Sequence, residues 1–403
     1  MVHRNRSALL KNVRLAGMST SVATPRLPQL DGIRGIAILL VLIWHYFPCQ
    51  LKAESGSLVA YLARACWLTW SGVDLFFVLS GFLICGILLD HRHSANLFQV
   101  FYVRRACRIF PLYFAVIGIF VLIKATSLYT NDSYGWLFDR HYPLWSYATF
   151  TQNFFMAGRG DLGAHWFAVT WSLAVEEQFY LIVPLLVYCL RGRSLVLVFA
   201  GLVIAAPILR CMNPGFQTMV ITIYRSDSLL MGALLAVFVR WPPFLNAAKN
   251  NRRILLGIFL VLLAGTLVLT SRFYAADGLL NHLWLSSLYA VLILMAFVGS
   301  NSWLGKSLSS PVLVWFGQLS YGIYLLHDQV AGLCFALLRG TPPVMQSWSD
   351  FAITCLAFSL TLVVATASWH FFERPILALG HRWKYAENAF SLTPICKEGS
   401  AAA

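Results

Sequence analysis

Leu30-Asp31-Gly32-Ile33-Arg34 opens a run that continues through residues 35–47 as nearly unbroken apolar sequence, interrupted at Trp44-His45-Tyr46. Such a run predicts a membrane helix, placed over 32–50, yet it carries an arginine and a histidine that hydrocarbon does not tolerate without a use. Arg34 and His45 are eleven residues apart. At ~100° per residue they return to within ~20° of one face, three turns and roughly 16 Å along the axis. A fixed cation near one membrane surface thus shares a stripe with a titratable imidazole near mid-depth.

The rest of the chain repeats the apolar pattern. Of 403 residues, 59% are hydrophobic and 11% charged, with mean hydropathy +0.70. That leaves too little polar surface to cover a soluble domain. Ten segments are long enough to span, at 32–50, 62–89, 108–126, 168–190, 194–211, 218–239, 254–271, 280–299, 312–336 and 351–373. The expected fold class is an all-α polytopic membrane protein, a single bundle of about ten transmembrane helices. Basic residues set its orientation. Arg4, Arg6, Lys11, Arg14 and Arg26 precede the first helix, and Arg92, Arg104, Arg105, Arg108, Arg191, Arg193, Arg240, Arg252, Arg253, Arg374 and Arg382 fall on the same side. The opposite side has scattered Lys52, Arg140, Arg159, Arg272 and Arg339. The asymmetry predicts N-in and C-in, in a multi-pass protein of the cell (inner or plasma) membrane. The +14 net charge then faces lipid headgroups and cytoplasmic anions, and no basic soluble module is present to bind nucleic acid.

Residues 1–27 read as a disordered basic cytoplasmic tail, 28–375 as the membrane domain, and 376–403 as a cytoplasmic C-terminal tail. The first segment lacks the apolar core of a secretory signal, and Met18 serves as well as Met1 for a start. Nine cysteines show no metal or redox spacing, so no metal is expected. Cys49 and Cys66, near the outer ends of the first two helices, are placed to close a short loop as a disulfide.

Four further motifs carry polar chemistry into apolar surroundings. In Gly72-Val73-Asp74-Leu75-Phe76-Phe77-Val78-Leu79-Ser80-Gly81-Phe82, Asp74 fits a buried hydrogen-bonded carboxylate or part of the outer mouth. Ser80-Gly81 fits close helix packing, or a backbone along which a linear ligand tail lies. Arg104, Arg105 and Arg108 crowd five positions ahead of Pro111. Inside-positive anchoring accounts for any two; three, with Arg105 and Arg108 on one face, fit an anion cradle for a polyphosphate such as coenzyme A. Trp171-Ser172-Leu173-Ala174-Val175-Glu176-Glu177-Gln178-Phe179-Tyr180 places Ser172, Glu176 and Tyr180 on one face. Glu176 there either pairs with arginines or orients an imidazole. Finally, Ser320, Tyr324 and His327 share a face in the segment ending Leu326-His327-Asp328, with a packing and hydrogen-bonding role the simpler account.

Two textual matches are discarded. The GxGxxG string at 158–163 has no preceding strand, and Asn131-Asp132-Ser133 matters only in a eukaryotic secretory cell. The loop at 128–166 is rich in Tyr134, Trp136, Tyr142, Trp145 and Trp166 beside Asp132, Asp139 and Asp161, which suits sugar rings and interfacial belts equally.

In this order the segments resemble the acyltransferase 3 family of multispanning membrane O-acyltransferases, over about residues 28–375. The resemblance rests on Leu-Asp-Gly-Ile-Arg-Gly-Ile-Ala, the Arg34–His45 spacing, Phe-Phe-Val-Leu-Ser-Gly-Phe-Leu-Ile, Arg105-x-x-Arg108, Trp-Ser-Leu-x-x-Glu-Glu-Gln-Phe-Tyr, Ser-Tyr-Gly-Ile-Tyr-Leu-Leu-His and Glu-Arg-Pro. It implies an acyltransferase that moves groups other than aminoacyl groups. The donor would be cytoplasmic acyl-CoA, usually acetyl-CoA. The acceptor would be a hydroxyl of an extracytoplasmic carbohydrate or lipid-linked glycan. It also implies the stand-alone type without a fused SGNH hydrolase domain. Arg105 and Arg108 would hold the coenzyme A phosphates, the pantetheine arm would pass Ser80 and Gly81, and His45, assisted by Arg34 and Glu176, would act as general base or transient acyl carrier. The competing class is a transporter or flippase, or an export-complex subunit for a surface glycan, with the same ionisable residues forming a path; no convincing internal repeat supports it.

Overall fold

The computed structural model describes residues 27–52, 57–126, 132–272 and 281–386. Most of both predicted tails and Asn131 of the sequon lie outside the described residues. Among the described residues the architecture is helical, with one isolated bridge between Leu51 and Met345. The long helices are α1 (Pro28–Tyr46), α2 (Gly72–Asp90), α3 (Leu97–Ala125), α4 (Thr170–Cys189), α5 (Arg193–Met212), α6 (Thr222–Phe238), α7 (Arg252–Arg272), α8 (Asn281–Val298), α9 (Pro311–Arg339) and α10 (Trp348–Ser368). Each expected segment overlaps one of them.

Eight helical segments among the described residues are long and apolar enough to cross a membrane, and nine if Pro242–Asn250 and Arg252–Val268, bent by 82° at a short break, form one span. The chain is thus a polytopic membrane protein. Helix α1 falls outside that set because Asp31, Arg34 and His45 dilute its apolar run.

Three boundaries differ from expectation for identifiable reasons. The segment expected over 62–89 breaks into Leu58–Ala65, a 3₁₀ turn Trp67–Ser71 and α2. Thr69 and Ser71 donate to the carbonyls of Cys66 and Leu68 at 2.6 and 2.7 Å, which tightens the turn. Helix α3 begins at Leu97 rather than at 108, so the arginine cluster lies inside a helix that Pro111 does not end. After α10 the helix continues through a π-helical turn, Trp369–Glu373, into Arg374–His381. Arg104 donates to the Trp383 carbonyl at 2.6 and 3.0 Å and Asn96 to that of Lys384 at 3.0 Å. Residues 376–386, expected as tail, therefore pack on α3. Cys49 and Cys66 are both free thiols.

Two close contacts fix the frame around the site. A β-carbon on Gly81 would lie 1.8 Å from the Leu229 carbonyl oxygen, and one on Gly232 would lie 1.9 Å from that of Val78. Only glycine lets α2 and α6 approach this closely. Helix α1 packs along α9, and Tyr46 ties the pair to α10: its hydroxyl donates to the His327 carbonyl at 3.0 Å and bonds the Thr361 hydroxyl at 2.7 Å.

Candidate active site

Helices α1, α2, α4 and α9 enclose two cavities stacked along α1. The larger, of about 1220 Å³, is lined by His45, His165, His282, Asp74, Arg225 and Asp328, with Trp44, Trp67, Trp70, Trp136 and Trp171 on its walls. The smaller, of about 100 Å³, is lined by Arg34, Arg105, Arg108, Ser80, Glu176 and Tyr180, together with Ser172, Ser320 and Tyr321. Val73 and Tyr324 line both. The eleven-residue spacing on α1 thus places Arg34 in one cavity and His45 in the other.

The smaller cavity is basic. Arg105 and Arg108 reach it from α3, while Arg104 turns away to Trp383. Arg34 enters from α1 with its guanidinium held 2.9 Å from Asp31. Ser172, Glu176 and Tyr180, read as one face of α4, all line it. Ser80 donates to Glu176 at 2.8 Å. Glu176 is therefore a partner of Ser80 among arginines, in a different cavity from His45. Of the two readings of Gly81, helix packing and a ligand tail, the contact with α6 fits the first. The cluster is what an anionic, hydrogen-bonding ligand needs, since arginine forks match phosphate oxygens in pairs.

The larger cavity is organised by imidazoles. The Nδ1 of His45 lies 2.9 Å from the Val41 carbonyl, a group that only accepts, so in the neutral ring the proton sits on Nδ1 and the lone pair on Nε2. The His45 and His327 rings meet with centroids 4.7 Å apart. His327 donates from Nδ1 to the Tyr324 carbonyl at 2.7 Å, and its buried Nε2 has no hydrogen-bond partner. His327 and Asp328 are consecutive on α9, and Asp328 lies 3.6 Å from His165 Nδ1. Asp328, against His165, is one of the carboxylates that the fold brings to an imidazole, a place that Glu176 was expected to fill.

Residues 224–228 supply a polar network on the far wall that the sequence reading passed over. Arg225 donates to Asp74 at 2.8 Å, and Ser228 does so at 3.0 Å. His282 Nδ1 is 3.2 Å from the same oxygen, and Arg210 pairs with Asp227 at 2.6 Å. Asp74 is thus both a buried hydrogen-bonded carboxylate and part of the cavity wall. The visible signal was the run Arg225-Ser226-Asp227-Ser228 inside an apolar helix. Of the loop aromatics only Trp136 reaches the cavity. Trp166 is buried, with its indole N–H on the Val116 carbonyl at 3.3 Å, and Trp145 is exposed. Tyr142 donates to Asp161 at 2.6 Å, which holds that carboxyl below its usual range, with the Gly163 N–H and the charges of Arg159 and Arg140 assisting. Among the described residues no group of three or more His, Cys, Asp or Glu side chains is placed to hold a metal ion.

A family model described as an acyltransferase domain, acyltransferase 3, matches residues 27–370. The chain belongs to this family. Curated relatives carry matching names. "O-acetyltransferase OatA" of Staphylococcus aureus (strain NCTC 8325 / PS 47) is 27% identical over 387 residues, 89% of this chain and 58% of that protein. "Putative peptidoglycan O-acetyltransferase YrhL" of Bacillus subtilis (strain 168) is 30% identical over 382 residues, 88% of this chain and 56% of that protein. The chain thus spans somewhat more than half the length of the curated relatives it matches. No solved structure matches it. Membership of the acyltransferase 3 family sets the reaction class for which the two cavities are read below.

Proposed function

We propose that this acyltransferase 3 member is a membrane O-acetyltransferase that carries an acetyl group from cytoplasmic acetyl-CoA to a hydroxyl of an extracytoplasmic carbohydrate. The observation that carries the reading is the shared wall: a chamber with three arginines abuts a large, tryptophan- and histidine-lined cavity, and one helix, α1, serves both. Arg105, Arg108 and Arg34 hold the donor's phosphates at the inner end. The pantetheine arm passes Ser80 and presents the thioester below His45. The acceptor ring lies in the larger cavity against the tryptophans, a geometry that suits sugar faces. The peptidoglycan in the name of YrhL favours a cell-wall glycan as acceptor.

His45 Nε2 takes the proton of the acceptor hydroxyl as that oxygen attacks the thioester carbon. The tetrahedral centre collapses, the carbon–sulfur bond breaks, and the departing thiolate receives the proton from the imidazolium. A second route uses the same nitrogen as nucleophile, with an acetyl-imidazole formed before the acceptor is acylated.

The test is the purified protein in detergent with radiolabelled acetyl-CoA and a chitopentaose acceptor. Transfer of label that depends on His45 supports the reading, and transfer that survives His45→Ala overturns it. Rapid quenching separates the two routes, since only the second leaves label on His45.

A further inference from the structure

Tyr324 stands where the two cavities meet, and the structure places a latch on it. Among the residues lining either cavity, Tyr324 and Val73 line both. Val73 is a short side chain on α2; Tyr324 is the one with length to swing. Its hydroxyl bonds the Ser172 hydroxyl and donates to the Val169 carbonyl at 3.1 Å, while Ser172 lies 3.2 Å from the same carbonyl. Val169 belongs to the wall of the large cavity and Ser172 to that of the small one. The Tyr324 ring therefore crosses the boundary and is pinned at the start of α4. Phe76, on the small-cavity wall, meets that ring edge-on with centroids 6.2 Å apart.

We propose that Tyr324 is the partition between the donor and acceptor chambers and that the Ser172 hydroxyl is its latch. The inference rests on the acetyltransferase reading for its purpose but not for its geometry. A thioester arriving through the arginine chamber reaches His45 only when the ring moves aside. Water and ions from the large cavity reach the arginine chamber only by the same door. With Tyr324 latched, the empty enzyme stays sealed across the bundle. With the donor arm in place, the arm itself fills the opening. The residue thus decides whether the acetyl group meets the acceptor or is lost to water. Because His327 Nδ1 is tied to the Tyr324 carbonyl, the ring can rotate about its own side-chain bonds while the backbone beside the imidazole pair stays in place.

Two readouts test this in the full-length protein. The first needs no activity: a cysteine introduced as Ser80→Cys, in the small chamber, is challenged with a membrane-impermeant maleimide from the outer face of right-side-out vesicles. Its labelling is read by mass spectrometry of that peptide. Labelling is expected to be slow with Tyr324 present and to rise about fivefold or more in Tyr324→Ala, with a smaller rise in Ser172→Ala, on the scale of one net hydrogen bond. The second readout, without the Ser80 change, compares coenzyme A thiol released from acetyl-CoA with acetyl groups found on chitopentaose. The ratio of release to transfer is expected to rise in the same order, with Tyr324→Phe, which keeps the ring but loses the hydroxyl that is latched, rising about as far as Ser172→Ala and less than Tyr324→Ala. Unchanged labelling in both Tyr324→Ala and Ser172→Ala overturns the partition, and so does an unchanged ratio. Ser172→Ala, the milder change, decides if Tyr324→Ala does not fold. A wild-type protein that never consumes acetyl-CoA refutes the acetyltransferase reading, while the labelling result still judges the partition.

Discussion

His45 on α1 and His327 on α9 meet edge to face, with ring centroids 4.7 Å apart and planes at 71°. Both rings spend Nδ1 on a carbonyl of their own helix, Val41 at 2.9 Å and Tyr324 at 2.7 Å. Each neutral ring therefore keeps its lone pair on Nε2. Only His45 lines the large cavity; His327 is fully buried behind it. The pair is asymmetric by position, with one imidazole facing the large cavity and the other packed behind it.

That asymmetry predicts unequal losses. His45→Gln is expected to lower the rate of acetyl transfer by about 10²–10⁴, the usual contribution of a positioned base. His327→Gln is expected to cost less, because it disturbs packing and orientation rather than the reacting nitrogen. Steady-state rates of the two purified variants, compared at equal folded fraction, check the order.

The arginine cluster predicts a split within five positions. Arg105→Ala and Arg108→Ala each remove a charge-assisted contact from the small chamber and are expected to raise KM for acetyl-CoA about tenfold or more. Arg104→Ala is expected to leave that KM unchanged, since Arg104 is bonded to the Trp383 carbonyl. Equal effects at all three positions would favour plain membrane anchoring.

Glycine packing gives a stability prediction independent of activity. Gly81→Ala puts a methyl group 1.8 Å from a carbonyl oxygen and is expected to destabilise the fold by about 1–3 kcal/mol or more. Gly118→Ala, in α3 with nothing within 4 Å of the added carbon, is expected to be neutral or slightly stabilising. Thermal unfolding in detergent distinguishes them.

The rim of the large cavity carries a pH dependence. Asp161 has its folded-state pKa lowered, first by the Tyr142 hydroxyl, so its contribution is fully present above the unfolded value near about 4 and is lost as pH falls through the lower folded value. Hydrogen exchange in residues 140–163 is expected to quicken in acid below that value and to do so less steeply in Tyr142→Phe. An identical acid response in that variant would show that the clasp is not what titrates.

Much of this was legible because a membrane helix makes every ionisable residue conspicuous. The spacing of Arg34 and His45, the Arg105–Arg108 step and the face shared by Ser172, Glu176 and Tyr180 all describe side chains that line the two cavities. What periodicity along one helix cannot give is which neighbour it meets. Glu176 was equally suited to an arginine or an imidazole until Ser80 of α2 was found against it. Gly81 fitted a ligand contact as well as a helix contact until α6 proved to lie there. Asp328 and His165, one at the end of a motif and one in a 3₁₀ turn ahead of α4, come together only because that turn docks on α9, where Gln329 donates to the Trp166 carbonyl.

The seam at Gly81 and Gly232 has a mechanical consequence. With each glycine seated against a carbonyl of the other helix, α2 and α6 have no slack to slide or part, and the wall bearing Val73, Asp74 and Arg225 behaves as one rigid slab. Any breathing that enlarges the passage between the chambers has to come from the opposite bank, through side chains of α9 and α4, which is where the Tyr324 and Ser172 hydroxyls stand.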